Sequence, residues 1–587
     1  MPSLALSCAQ VTRLLLSVNY PDGFLHSFKS LDGVFHRSQI LGHPSAPPFA
    51  FFVKVGLPVA NVCDNLTFET KTMQRFDTQE SPANDGMWIA WALAAVAVLV
   101  QMLTNGRYGY FRDELYYLAA SDHLAFGYVD FAPLIAWLTH ASRVVFGGSL
   151  HAIRLLPALA FGTEVLLTGF ITRELGGRRW AVLLGCASVL LAPVILGNAA
   201  RLSMNPVEPL FWMGCVYVLL LALNRQQPKL LPWCGVLLGF GLENKHSTVF
   251  FLGALVVGLL ATPQRRLLAS KWFWIAAALA FAIALPNVVW EYLHHFPTLE
   301  DLRNVKSIHK NVELPPLPFI GQQILMLAPV SALVWIAGLG FLLFHSEGKR
   351  YRFLGVTYLV FLAVMIALKG KDYYLAPIYP MLYAAGGVFW EKLAESRPRL
   401  RWLRIALPAT VFALGLVAVP LVLPILPPEK IVPYFDALGI KQPRTETHMQ
   451  STLPQYFADE FGWPEMVETV AGVYNALPPE ERAKTAILAG DYGGAGAIDF
   501  FGPRYGLPKA ISAHQNYFNW GPRQYTGESI ILLEWNLEDA QHWCGSVDQG
   551  PTIAPYYGMG WEHYTILICH NFNQPLAEAW PQLKHWD

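Results

Sequence analysis

From Met87 to about residue 427 apolar runs follow one another, most of them near the ~20 residues that a helix needs to cross a hydrocarbon core, with short polar turns between them. Few folds are open to such a chain. In lipid every backbone N–H and C=O must be satisfied within its own segment, so continuous runs of this kind are helices. They fall near 87–104, 150–173, 179–200, 206–224, 230–243, 246–262, 271–293, 319–344, 351–368, 373–393 and 403–427. The pattern predicts a mostly α polytopic membrane protein with about eleven transmembrane helices. The run 131–147 is short and carries His140 and Arg143, which marks it as a juxtamembrane helix inside the first outer loop.

Composition bears on what such a chain can be. Of 587 residues 54% are hydrophobic and only 14% charged, with a mean hydropathy of +0.34, too apolar for an ordinary soluble protein of this size. Formal net charge is zero, so bulk charge gives no ground for nucleic-acid binding, and the expected partner is the lipid bilayer. The local placement of Lys and Arg is informative instead, because short cytoplasmic loops are enriched in both. RELGGRR, NRQQPK, PQRR, HSEGKRYR and EKLAESRPRLR are short and basic, and with eleven spans all fall on one side, together with the N-terminus. The opposite side receives the loop 105–150, the turns at Arg201 and Lys245, the loop 294–318, the KGKDYY turn and the whole tail.

Two flanking regions differ from the helical bundle. Residues 1–86 are mixed and punctuated by Pro and Gly, lack the ordered regions of a signal peptide, and form an N-terminal extension to which no role is assigned. Residues 428–587 are polar, aromatic and rich in turns. AKTAILAGDYGGAGAIDFFGPRYGLPKAIS reads as strand, Gly-rich turn, helix and second strand, with SIILLEW and YTILICH as further strands, which predicts a soluble α/β domain. GDYGGAGA fits neither GxGxxG nor the P-loop spacing, so a nucleotide site is not expected. Among seven cysteines no CxxC or metal-ligand spacing occurs. Cys544 and Cys569 both lie in the polar tail and, if it is exported, could pair as a disulfide.

Ionisable groups beside a membrane are costly and usually functional, and they gather at the ends of the spans on the outer side. The loop GRYGYFRDELYYLAASDHLAFGYVDFAPLIAW holds Asp113, Glu114, Asp122 and Asp130. A helix over FRDELYYLAASDHL places Asp113, Tyr116 and Tyr117 on one face at i, i+3 and i+4, a carboxylate flanked by rings. In GYVDFAP, Gly127 frees a turn and Pro133 ends it, with Asp130 between them. Further along come Arg201 and Glu208 in RLSMNPVE, Lys245 and His246 in LENKHST, a loop with His294, His295, Arg303, Lys306 and Lys310, and Lys369, Lys371, Tyr373 and Tyr374 in KGKDYY. Any one of these cations has a bland alternative, a side chain snorkelling to headgroups. Lys245 has the stronger case, because its apolar hairpin makes an unpaired charge expensive. Carboxylates facing a set of cations suit a reaction in which a hydroxyl loses its proton to an acid residue while a phosphate departs toward Lys and Arg. A divalent metal ion at the acids is compatible with this chemistry but not required by it.

RDELYY, then GYVDFAPLIAWL, the charged turn of LENKHST and the KDYYLAPIYPML span together resemble the bacterial branch of glycosyltransferase family 39. This is the protein O-mannosyltransferase and lipid A aminoarabinose transferase group, with the GT-C membrane fold. The resemblance covers about 87–427. It implies transfer of a sugar, with inversion, from a polyprenyl-phosphate donor to a hydroxyl of an exported protein or an envelope lipid, in the bacterial inner membrane. Within it Asp113 matches the catalytic first-loop Asp, Glu114 completes the acidic pair, and Asp130 matches the second acidic position. Lys245 and Lys371 sit where basic residues face the carrier phosphate. Three positions depart from the pattern: Ala132 replaces the first of a frequent Pro pair, His246 stands where Tyr is common, and Asn205 and Glu208 occupy a turn where an Asp is common. The rival expectation is a transporter or lipid flippase, which predicts charges at the midplane and paired halves. No internal repeat is visible.

Overall fold

The computed structural model describes residues 86–443, 446–447 and 451–587; the extension 1–85, with Cys8 and Cys63, lies outside them. Helices dominate from Met87 to Ala437. By length and composition five are able to cross a membrane: Met87–Thr104, Leu150–Glu174, Lys271–Leu293, Gly348–Ala367 and Pro398–Leu421. Two bent pairs raise the count to seven, and Leu134–Phe146, Arg179–Leu190 and Glu208–Asn224 are shorter apolar helices. The run read as one span over 319–344 is broken: Pro316–Leu325 and Pro329–Phe344 meet at 109°. The break has a local cause, since Pro329 has no N–H to continue a ladder and Ala328 sits at φ 67°, outside helical space. The run at 179–200 is likewise interrupted, by Pro193, into Arg179–Leu190 and Pro193–Asn198.

Small residues set how closely these helices pack. A Cβ on Gly338 would lie 2.0 Å from the Leu382 carbonyl oxygen, and one on Gly386 2.0 Å from that of Val334. The helices Pro329–Phe344 and Tyr379–Ser396 therefore touch backbone to backbone, the contact that drives association where lipid supplies no hydrophobic force.

The tail carries a five-stranded sheet. Its strands are β1 (Thr485–Ala489), β2 (Ile511–Ser512), β3 (Ser529–Leu533), β4 (Cys544–Ile553) and β5 (Tyr564–Phe572), in the order β2-β1-β3-β5-β4. β1 runs parallel to β2 and β3, while β5 is antiparallel to β3 and β4. β1 and β3 are buried on both faces and read as continuous apolar runs. Cys544 and Cys569 are joined as a disulfide between β4 and β5. The Gly-rich stretch expected to be a turn is instead the first turns of the helix Tyr492–Phe501, capped by the Asp491 side chain, which accepts from the Gly494 N–H at 2.7 Å.

Those glycines explain how the tail meets the bundle. A Cβ on Gly496 would come within 2.9 Å of the Leu115 backbone, and one on Gly493 within 2.5 Å of Arg112. The helix Tyr492–Phe501 can therefore lie flat on the helix of the first loop, Arg112–Ser121. One apolar core unites Leu115 to Ala120 with Val467, Val470, Ala495, Ile498 and Ile531 of the tail. Tail and first loop share that core, and Pro82–Asp587 pack as one unit.

Candidate active site

The helix of the first loop is Arg112–Ser121, whose start is fixed twice. Glu114, third in the helix, accepts the Phe111 N–H at 2.9 Å, the returning half of a capping box. The Arg112 N–H donates to the Asp459 carbonyl at 3.1 Å, tying the helix to the tail. Asp113 and Glu114 then point into different surroundings.

Glu114 is fully buried and saturated. Arg154 donates to it through Nε at 2.8 Å and Nη2 at 2.7 Å, and the Leu202 N–H donates at 2.7 Å. Arg154 also binds the carbonyls of Asn105 and Gly109. Such a buried bidentate pair locks geometry. This departs from the expectation of a catalytic Glu114: with both oxygens taken up by four donors, it has no lone pair left to offer a substrate and instead joins the first loop to the turn at Leu202. Asp113 is one-third exposed. Its Oδ1 accepts from the Tyr492 hydroxyl at 2.8 Å and lies 3.9 Å from Arg112 Nε.

Asp130 is brought to the same helix. The Tyr116 hydroxyl donates to its Oδ1 at 2.9 Å while accepting the Asn516 N–H at 3.0 Å. Burial raises the Asp130 carboxyl to about 8, and the charge of Asp301 adds to the shift. Tyr116 stacks on Tyr492 with centroids 4.5 Å apart, and Tyr117 lies beside it at 6.2 Å. The two loop carboxylates are thus separated by a tyrosine stack to which the tail contributes one ring. Tyr117 lies within electrostatic reach of both carboxylates. Gly127 permits the approach of this loop to the helix Lys271–Leu293, since a Cβ there would meet the Trp290 ring at 2.2 Å.

The expected cations divide. Lys245 Nζ donates to Asn205 Oδ1 at 2.8 Å and Glu208 Oε2 at 3.1 Å, and lies 4.5 Å from the centre of the Tyr374 ring and 5.9 Å from that of Tyr373. Ser247 donates to the other Glu208 oxygen. Tyr373 in turn lies within electrostatic reach of both Lys245 and Asp113. Lys371 is half-buried, its ammonium has no hydrogen bond or ion pair among the described residues, and the Asp301 and Asp372 carboxylates feel its charge. Asp301 in turn acts on Asp130. His246 serves the framework instead. It bonds Asn287 Oδ1 at 3.0 Å, and Asn287 donates to the Phe126 carbonyl, holding the first loop from behind.

Arg201 parts from Glu208. Its Nε binds Glu460 Oε1 at 2.5 Å, and its guanidinium lies between 5.5 and 5.6 Å from the ring centres of Phe111, Tyr456 and Phe457. Arg201, expected as part of a phosphate clamp, ties the turn at 201–208 to the tail through Glu460 in a buried aromatic cage, and its buried Nη2 has no hydrogen-bond partner among the described residues. Lys369 pairs with Glu313 on the surface. Among the described residues no group of three His, Cys, Asp or Glu side chains is arranged to hold a metal ion.

Several participants carried no local signal in the sequence. Tyr492 stands 379 positions from the Asp113 that it touches, Glu460 pairs with Arg201 across 259, and Asp301 is one acid in a loop read for its basic residues. Arg154 was visible as a charge near the start of an apolar run.

Comparisons with known proteins agree with the resemblance drawn from the motifs. Residues 130–290 match the family model described as dolichyl-phosphate-mannose-protein mannosyltransferase. Among individual proteins the chain is 26% identical over 248 residues to lipid A galacturonosyltransferase RgtD of Rhizobium johnstonii, covering 40% of this chain and 50% of that one. It is 29% identical over 165 residues to undecaprenyl phosphate-alpha-4-amino-4-deoxy-L-arabinose arabinosyl transferase 2 of Pseudomonas fluorescens, covering 27% and 28%. The matches thus span half or less of these relatives. The fold is shared with ArnT from Cupriavidus metallidurans bound to undecaprenyl phosphate, at a TM-score of 0.55 and 13% identity over 82% of this chain and 98% of that one.

Proposed function

We propose that this protein is an inverting glycosyltransferase of the bacterial inner membrane. It moves a sugar from a polyprenyl-phosphate carrier to a hydroxyl of an envelope lipid, or of an exported protein as the name of the family model suggests. The reading is supported by two observed clusters, Asp113 and Asp130 joined through the Tyr116–Tyr492 stack and Lys245 held by Glu208 beside the Tyr373 and Tyr374 rings, with Tyr373 in the field of both Lys245 and Asp113. A lipid acceptor is favoured by the relative whose printed name includes lipid A.

In this reading Asp113 accepts the proton of the acceptor hydroxyl. The freed oxygen forms a bond to the anomeric carbon as the bond from that carbon to the phosphate oxygen breaks on the opposite side, which inverts the centre. The charge left on the carrier phosphate is taken up by Lys371, whose ammonium has no hydrogen-bond partner among the described residues, with Lys245 as the second cation. The Tyr492 hydroxyl fixes the rotamer of Asp113, and Asp130, held by Tyr116, positions the sugar or the acceptor. No metal-dependent step is assigned.

Eleven crossings with the first loop and the tail on the exoplasmic side agree with the basic loops of the opposite face. The Cys544–Cys569 disulfide supports an oxidising compartment for the tail.

Purified protein incubated with a labelled polyprenyl-phosphate sugar and an envelope-lipid acceptor should release polyprenyl phosphate. Asp113→Asn should abolish release while leaving the melting temperature nearly unchanged. Full turnover in that variant would reject Asp113 as the base, and no release with any donor from the wild type would reject the reaction.

A further inference from the structure

A column of near-parallel rings runs from the first loop through the tail. Tyr117 lies 6.2 Å from Tyr116, Tyr116 4.5 Å from Tyr492, Tyr492 5.1 Å from His514 and His514 4.7 Å from His585, and no pair is tilted by more than 22°. Both loop carboxylates hang from this column, Asp113 on the Tyr492 hydroxyl and Asp130 on that of Tyr116. His514 has no part in the transfer chemistry, yet it is buried and bound at both ring nitrogens. The Tyr492 main-chain N–H lies 3.3 Å from Nδ1, and an amide N–H can only donate, so Nδ1 is the acceptor and the ring proton sits on Nε2. Nε2 in turn donates to the Asp587 main-chain oxygen at 3.3 Å. Burial, and after it the neighbouring His585, hold the imidazole below the usual histidine range, which agrees with a neutral ring. Residues 585–586 are stitched to the chain on either side of His514. The His585 N–H donates to the Ala513 carbonyl at 3.2 Å, the Gln515 N–H to the His585 carbonyl at 3.3 Å, and the Trp586 indole to the Gln515 carbonyl at 3.1 Å.

Resting on the glycosyltransferase reading, we propose that His514 is a positioning residue, which holds Tyr492 by ring face and main chain at once and so aims the Tyr492 hydroxyl at Asp113. The two contacts act differently. Tyr116 and His514 flank the Tyr492 ring, so the ring cannot swing without giving up stacking on both of them. The bond to Nδ1 fixes the backbone at the start of the helix Tyr492–Phe501, which carries that ring. A hydroxyl aimed in this way holds Asp113 in one rotamer through Oδ1 and leaves Oδ2 for the proton of the acceptor. Displacing a reacting group by about 1 Å costs about 10²-fold in rate. His514 therefore acts on turnover rather than on the binding of the donor.

The test is a double-mutant cycle, read as kcat and KM for the release of polyprenyl phosphate from a labelled polyprenyl-phosphate sugar. His514→Ala should lower kcat by about tenfold or more while KM for the donor stays within about twofold. In a Tyr492→Phe background, where no hydroxyl remains to be aimed, the same change should cost less than about twofold. His514→Asn keeps an acceptor for the Tyr492 N–H and replaces the alanine variant in the cycle if that variant does not fold. Its loss in kcat should be smaller, about threefold or more, and should likewise vanish in Tyr492→Phe. Melting temperature and binding of sugar-free polyprenyl phosphate check that each variant is folded. Equal losses in the two backgrounds overturn the role, because His514 would then act by packing alone. Full turnover of either variant, or a loss confined to KM, overturns it as well, with the transferase reading untouched. No release from the wild type with any donor overturns both.

Discussion

Asp113 and Glu114 are neighbours on one helix, yet burial separates their roles. Glu114 neutralises Arg154 in the interior, so removing it strands a buried guanidinium. Glu114→Ala should cost about 3–5 kcal/mol, visible as a large fall in the melting temperature in detergent, where Asp113→Asn leaves the fold intact because an amide oxygen can still accept from Tyr492. A small effect of Glu114→Ala would remove it from the framework. Asp130 makes a prediction in pH. Its carboxyl is raised by burial to about 8, against about 4 in the unfolded chain. Between these values the native state holds a proton that the unfolded state has released, so this contribution to stability is full below about pH 4 and declines as pH rises through 8. Asp130→Asn should flatten that part of the profile of melting temperature against pH, and an unchanged slope would locate the proton elsewhere. The pairing of Asp130 with Tyr116 was half legible in the sequence: helical spacing placed the ring beside Asp113, but only the chain reversal at Gly127 to Pro133 delivers the second acid. Arg201 misled for a related reason, since a cation at the end of a span looks the same whether its partner is a phosphate or, as here, Glu460 far along the chain.

Among the elements, the contact between the helices Arg112–Ser121 and Tyr492–Phe501 carries most consequence, because it brings Tyr492 to Asp113. It depends on a glycine where the Leu115 backbone passes. Gly496→Leu should overpack this contact at a cost of about 1–3 kcal/mol and reduce turnover more than stability, with faster limited proteolysis between the bundle and the tail. Full activity would show that the two helices need not touch. In the sequence GDYGGAGA reads as a turn, because runs of glycine favour turns and weaken helices. Here the Asp491 cap and the close fit to Leu115 outweigh that propensity. Four of the five strands were legible, since β1 and β3 are apolar after their first residue and β5 is rich in β-branched residues, whereas the largely polar β4 gave no such signal.

At the scale of the whole molecule the apolar runs disclosed the class of fold, but not where helices break. Pro329 splits one expected span because it has no N–H to continue the ladder and Ala328 before it leaves helical space, neither of which hydropathy registers. The topology rests on the basic loops, and a reporter fused after Arg397 should be active only in the cytoplasm; exoplasmic activity would reverse the map. One further consequence follows from the hydroxyl that Tyr492 lends to Asp113. Translation reaches Asp113 hundreds of codons before Tyr492, so the carboxylate gains this partner only after the tail has been made and has docked on Arg112–Ser121.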